Sequence, residues 1–284
     1  MTTKCLLLEK AGCKPMEPLW NPRKAVPDSE VIIARFSELS GWVRSNVSCK
    51  IDQPYGAQPR QSFDIFLPRG RLAGLHIFIH GGFWMSRDKS VFSFLAASYI
   101  DKQWAFAIPN FPLMPSTRLT EMIGSVKKAC KTIWDEYGAS GGSIPWTISG
   151  HSSGAHLVVR AILGDAESAI PRPASIILLS GAYDLRAVQE SEVNEALKLS
   201  NEEITKECAL QQICYFLPAK VRLYVGGREP LSWIEQSNRL AKHLQDSGYS
   251  SLQPLSLAGH DHFSILEPLA QPQSELGQNV LNVT

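Results

Sequence analysis

A chain of 284 residues with 44% hydrophobic and 19% charged side chains holds enough apolar material for one large core and lacks the composition of a disordered segment. Lys plus Arg number 28 and Asp plus Glu 27, a formal charge of +1, which implies no general electrostatic pull on nucleic acid or anionic lipid and disfavours nucleic-acid binding. No apolar run approaches the ~20 residues of a membrane span, and the run at residues 5–8 is shorter than the roughly 7–15 residues of an export signal, so a cytoplasmic protein is expected.

Residues 1–60 carry Pro15, Pro18, Pro22, Pro27, Pro54 and Pro59 around one helical stretch, 29–47. They are expected to form an N-terminal arm or helical cap on a catalytic core of residues 61–284, the two making a single domain. From Phe63 onward, short apolar runs alternate with helix-length amphipathic segments, the pattern of a mostly parallel sheet with helices on both faces. The expected strands are 63–67, 75–79, 104–108, 146–149, 175–179, 221–225 and 252–257; the expected helices are 91–102, 119–137, 153–163 and 232–246. Within 119–137, Met122, Val126, Ala129, Ile133 and Tyr137 recur at steps of three and four and should face the sheet. Cys5, Cys13, Cys49, Cys130, Cys208 and Cys214 are scattered without a CxxC pair or a Cys/His cluster, so reduced structural thiols and no metal site are expected.

The motif with the most chemistry is Gly150-His151-Ser152-Ser153-Gly154, between an expected strand and an expected helix. A strand that turns sharply into a helix can hold a serine in a strained, exposed conformation if small residues flank it at both sides, which makes Ser152 the candidate nucleophile. Ser153 is its rival but lacks glycines at both flanking positions. His151 and His156 are expected to pack or hydrogen-bond beside the turn. His80-Gly81-Gly82-Phe83-Trp84 follows the strand at 75–79, where unhindered amides could stabilise an oxyanion. Gly81 and Gly82 are expected to donate together with Ser153. Phe83, Trp84 and His80 are candidates for the substrate pocket, His80 also ordering the loop; the alternative for the two aromatics is core packing.

A serine needs a base, and the base a carboxylate, in the chain order Ser, acid, His. His260 and His262 both follow the last expected strand; spacing alone does not separate them, although the apolar residues after His262 anchor it better. Glu229 follows the strand at 221–225 and is the first choice of acid, with Asp184 the alternative and Asp261 a distant third.

These motifs, with Asn21-Pro22-Arg23, Val26-Pro27, Ser180-Gly181-Ala182-Tyr183-Asp184-Leu185 and Asp261-His262-Phe263, resemble the kynurenine formamidase (arylformamidase) group of the α/β-hydrolase fold, related to hormone-sensitive-lipase-like esterases. The resemblance implies Ser152 as nucleophile and, from its Asp-His-Phe setting, His262 as base. Relatives usually carry aspartate where this chain has Glu229, and Asn110 to Pro115 departs from them as well. The implied activity is deformylation of an aryl formamide of the N-formylkynurenine type through an acyl-enzyme, with no metal or organic cofactor. Carboxylesterase action on short-chain or specialised esters is the alternative, and a catalytically silent hydrolase-fold binding protein is the alternative from another class. The expected partners are a small-molecule substrate and, at most, a second copy of the chain in a homodimer, with no nucleic acid and no membrane.

Overall fold

The computed structural model describes residues 21–139, 144–164, 170–212, 215, 219–249 and 252–281. An eight-stranded sheet in the order β1-β2-β4-β3-β5-β6-β7-β8 forms the frame. Its strands are β1 (Cys49–Pro54), β2 (Ser62–Phe66), β3 (Gly74–Ile79), β4 (Trp104–Pro109), β5 (Trp146–His151), β6 (Ser175–Leu179), β7 (Lys220–Gly226) and β8 (Leu255–Leu257). β2 runs antiparallel to both β1 and β4, and every pairing from β4 across to β8 is parallel.

Successive strand residues point to opposite faces, and both faces here are dry. Ile77 and Ile79 enter one apolar cluster and Phe78 the other; Ile176 and Leu178 likewise oppose Ile177 and Leu179. That two-sided burial is why the central strands read as unbroken apolar runs. On the first face lie α4 (Leu119–Ile133), α5 (Ser153–Val158) and α9 (Leu231–Asp246), and the stripe Met122, Val126, Ala129, Ile133 is fully buried there with Tyr137 at its margin. On the second lie α2 (Ser29–Asn46), α3 (Ala97–Ile100), α10 (Leu266–Leu269) and α11 (Glu275–Leu281). The short helices α1 (Pro22–Ala25), α6 (Leu185–Gln189), α7 (Asn194–Leu197) and α8 (Asn201–Glu207) complete the set.

Several boundaries differ from the sequence expectation. β1 was not expected: its residues alternate between half-buried and exposed, the weak pattern of an edge strand. The stretch 91–102 divides into a 3-10 helix, Lys89–Leu95, and α3. Ser40 of α2 causes the division, because its hydroxyl accepts from Phe94 N at 2.9 Å and donates to Val91 O at 2.8 Å, taking groups that a continuous α-helix would pair internally. The helices expected over 119–137 and 153–163 both close in a wider π-type turn, at Trp134–Gly138 and Val159–Leu163. The last strand is shorter than expected, Leu255–Leu257.

α2 is seated deeply. Ile33, Phe36 and Val43 are buried, Phe36 stacks on Phe94 with centroids 4.4 Å apart, and Arg44 pairs with the fully buried Asp64. Lys89 meets the same Asp64 at 3.1 Å, so opposite charges compensate each other where water is excluded. Cys49, Cys130 and Cys208 are free thiols; burial pushes Cys130 up to about 12, which keeps it in the inert thiol form. Cys5, Cys13 and Cys214 lie outside the described residues. Among the described residues, no helix is long and apolar enough to cross a membrane, and no group of His, Cys, Asp and Glu could hold a metal ion.

Candidate active site

β5 delivers Ser152 to the carboxyl end of the sheet and α5 begins immediately after it. Ser152 has φ 56° and ψ −125°, a conformation that costs an L-residue on the order of 1–3 kcal/mol and survives only when its surroundings enforce it. Two contacts do so. Ser152 N donates to Leu179 O at 2.9 Å, and Gly154 passes so close to the end of β3 that a Cβ there would sit 2.1 Å from Ile79 O and 2.5 Å from His80 O. The rival Ser153 is occupied: its Oγ accepts from Trp84 N at 3.3 Å.

The turn after β3 lies against this elbow. A Cβ on Gly81 would stand 2.8 Å from Ser152 Cβ, so main chain rather than side chain borders the serine. Gly82 has φ 132°, and Phe83 and Trp84 follow with φ 51° and 57°; the three left-handed residues curl the loop tightly. Among the described residues, the amides of Gly81, Gly82 and Ser153 have no hydrogen-bond acceptor, as the expected role of these groups requires.

Two of the expected pocket residues do not line the cleft. His80 is fully buried, sandwiched between Phe92 and Phe111 with centroids 5.5 and 4.6 Å away, and its Nδ1 donates to Gly81 O at 2.8 Å. Burial lowers it to about 4, so a neutral ring braces the loop from behind. Trp84 is buried too, donating from Nε1 to His156 Nδ1 at 3.3 Å, while His156 Nε2 donates to Glu207 O at 2.8 Å. Left-handed φ at adjacent residues turns the Trp84 indole inward and leaves Phe83 at the cleft. Sequence offered no means of deciding which of two neighbouring aromatics would face which way.

Glu229 and His262 come together across 33 residues of chain. His262 Nδ1 donates to Glu229 Oε2 at 2.9 Å, with both side chains almost wholly buried. The other carboxylate oxygen, Oε1, accepts from Gly226 N at 2.7 Å and from the Ser180 hydroxyl. The Glu229 contact places the neutral imidazole's proton on Nδ1 and leaves Nε2 as its basic nitrogen. Trp233 packs on the ring, centroids 4.4 Å apart. His151 lies 4.8 Å from it and donates from Nε2 to the His262 carbonyl at 2.7 Å; burial, then the nearby His262, holds His151 well below its ordinary value. The other candidates are employed elsewhere. Asp184 caps α6 through Arg186 N and pairs with Arg239 Nη1 at 2.5 Å. Asp261 accepts from Phe263 N and Ser264 N at 2.9 Å each, and His260 Nδ1 meets Ser264 O at 3.1 Å.

Ser152, His262, Gly81, Gly82 and Phe83 all line one cleft. His151 lines it too, and Pro22, Arg23 and Ile33 from the N-terminal part of the chain, with Arg87, Phe92, Phe263 and Leu266, supply the rest of its wall. Sequence reasoning did not assign these residues to the site, although Pro22 and Arg23 lie in the Asn-Pro-Arg motif and Phe263 in the Asp-His-Phe motif.

The BD-FAE family model matches residues 63–211, more than half of the chain. The chain belongs to the BD-FAE family. The BD-FAE match holds the turn at Gly81 and Gly82 and also Ser152, while Glu229 and His262 follow it. Longer likenesses span those as well. A kynurenine formamidase of Danio rerio is 27% identical over 88% of this chain and 87% of its own length. A crystal structure from Silicibacter sp., ascribed to a thioesterase, superposes with a TM-score of 0.82 at 28% identity, covering 95% of this chain and all of that one. A hormone-sensitive lipase from a metagenome library superposes at 0.67 with 15% identity, over 93% of this chain and 99% of that one. The fold is that of the α/β-hydrolases, and this BD-FAE member is a hydrolase.

Proposed function

We propose that this hydrolase removes the formyl group from an aryl formamide of the N-formylkynurenine type, with Ser152 as nucleophile, His262 as general base and acid, and Glu229 as the carboxylate that orients the imidazole. The observation that carries the reading is the His262–Glu229 hydrogen bond at the wall of the cleft that Ser152 also lines. The near full-length likeness to kynurenine formamidases supports the choice of substrate.

In this reading Ser152 Oγ attacks the formyl carbonyl as its proton passes to His262 Nε2, and Glu229 offsets the charge that forms on the ring. The amides of Gly81, Gly82 and Ser153 stabilise the oxyanion. Collapse expels the aryl amine, which takes the proton from His262, and a formyl-enzyme remains. Water then attacks the formyl ester with His262 again as base, releasing formate and free Ser152. The sequence of steps needs no metal or organic cofactor. Cleavage of short-chain esters is the second reading, favoured by the likeness to lipase and thioesterase structures.

Kinetics on N-formylkynurenine against p-nitrophenyl acetate and butyrate test the choice. The formamide should give the larger kcat/KM; brisk ester cleavage with negligible formamide turnover would overturn the first reading in favour of the second.

A further inference from the structure

Two guanidinium groups share one carboxylate at the wall of the cleft. Arg23, from the arm, and Arg87, just beyond the oxyanion turn, line the same cleft as Ser152 and His262. Arg23 Nε stands 3.7 Å from Glu30 Oε1, and Arg87 Nη2 donates to that same oxygen at 3.3 Å. Two cations against one anion leave a net positive charge beside the nucleophile. Asp88 does not cancel it, because its carboxylate is engaged by Asn110 Nδ2 at 2.6 Å, Ser90 N at 3.0 Å and Arg60 Nη1 at 3.3 Å.

The position of Arg87 is built rather than incidental. Its φ is 77°, a strained conformation for a residue with a side chain. Arg60 holds it there by donating from Nη2 to Arg87 O at 2.8 Å. The absent side chain of Gly82 makes the room, since a Cβ there would meet Ser86 O at 2.2 Å and Arg87 Cγ at 3.0 Å. An arginine serving only as a solvated surface charge needs none of this. The Arg87 side chain is 17% exposed whereas its partner Glu30 is 66% exposed, and an ion pair to so exposed a carboxylate is weak and readily exchanged.

We propose that Arg87 and Arg23 are specificity-determining residues that bind a carboxylate on the leaving portion of the substrate, displacing Glu30. Guanidinium groups suit this task because their planar forks match both oxygens of a carboxylate. The inference rests on the proposed hydrolysis at Ser152. With a formyl group as the acyl part, a carboxylate at Arg87 belongs to the departing amine.

The test uses a phenyl acetate bearing a short alkyl carboxylate arm and its methyl ester, together with the same pair made as formanilides. The wild-type enzyme should prefer the carboxylate member by about tenfold or more in kcat/KM, mostly through KM, and the preference should shrink as salt is added. In Arg87→Gln and in Arg23→Gln the ratio should fall towards one. Both members are assayed on the same preparation, so partial misfolding cancels from the ratio. A wild-type ratio near one, or a ratio that survives unchanged in either variant, overturns the proposal. Loss of formanilide turnover with the acetate pair intact would instead count against formamide cleavage, leaving the charge preference readable.

Discussion

Glutamate at position 229 carries one methylene more than the aspartate usual at this point of the fold, and the structure shows how the extra length is taken up. The chain turns back at Gly226, whose amide binds Glu229 Oε1 and whose missing side chain leaves the space that a Cβ, 3.0 Å from that oxygen, would occupy. Glu229→Gln should therefore lower kcat on p-nitrophenyl acetate by about 10³–10⁴-fold, because the amide no longer fixes the imidazole tautomer. Asp184→Asn should retain turnover and lose under about 1 kcal/mol in urea denaturation, since its Arg239 partner is half exposed. A larger catalytic loss from the Asp184 change would reverse the assignment. Ser152→Ala should remove about a million-fold, read as kcat/KM on the same ester. At this scale the strained turn at Ser152 was legible because glycines flank it, and the pairing of Glu229 with His262 because Glu229 is the carboxylate in the loop after its strand. The loop-ordering role of His80 was legible as well; which of Phe83 and Trp84 would face the cleft was not, because the backbone twist that turns a side chain inward or outward leaves no mark in residue order.

Elements were legible wherever they bury a face. The central strands and α4 and α9 follow apolar periodicity, and their ends agree with the expectation to within a few residues. The misses have tertiary causes. β1 is held as an edge by β2, the break after Leu95 is imposed by a hydroxyl on a distant helix, and α6 to α8 are too short to show a period. The tightest junction between elements is that of α5 with the end of β3. Gly154→Ala would drive a methyl group into two carbonyl oxygens of the backbone, a collision that no side-chain rotamer relieves. The variant should lose about 3 kcal/mol or more of stability and most of its esterase activity, checked by urea denaturation and p-nitrophenyl acetate turnover. Wild-type stability in this variant would mean that the elbow has slack.

Across the whole molecule, His76, His80, His151 and His156 are buried with little or no exposure and held neutral. Burial lowers His76 to about 3 and His80 and His156 to about 4, while an unfolded histidine titrates near 6.5. Below about pH 6.5 the unfolded chain therefore binds more protons than the folded one, so the contribution of these rings to stability is complete above that pH and is lost as the pH falls towards the folded values. Each ring should cost up to about 1.4 kcal/mol per pH unit in that window. The urea midpoint should accordingly drop between pH 7 and pH 5, and a flat profile would mean that the rings are charged in the fold.

The close passage of Gly154 beneath the carbonyls of Ile79 and His80 has a consequence for adaptation. The Ser152 turn and the end of β3 are interlocked, so neither can shift to suit a new substrate without carrying the other along. Part of the cleft wall, at Pro22, Arg23 and Ile33, is borrowed from a segment far earlier in the chain and has no part in that junction. A change of substrate should therefore be met by cleft residues outside this junction, while the junction itself stays fixed.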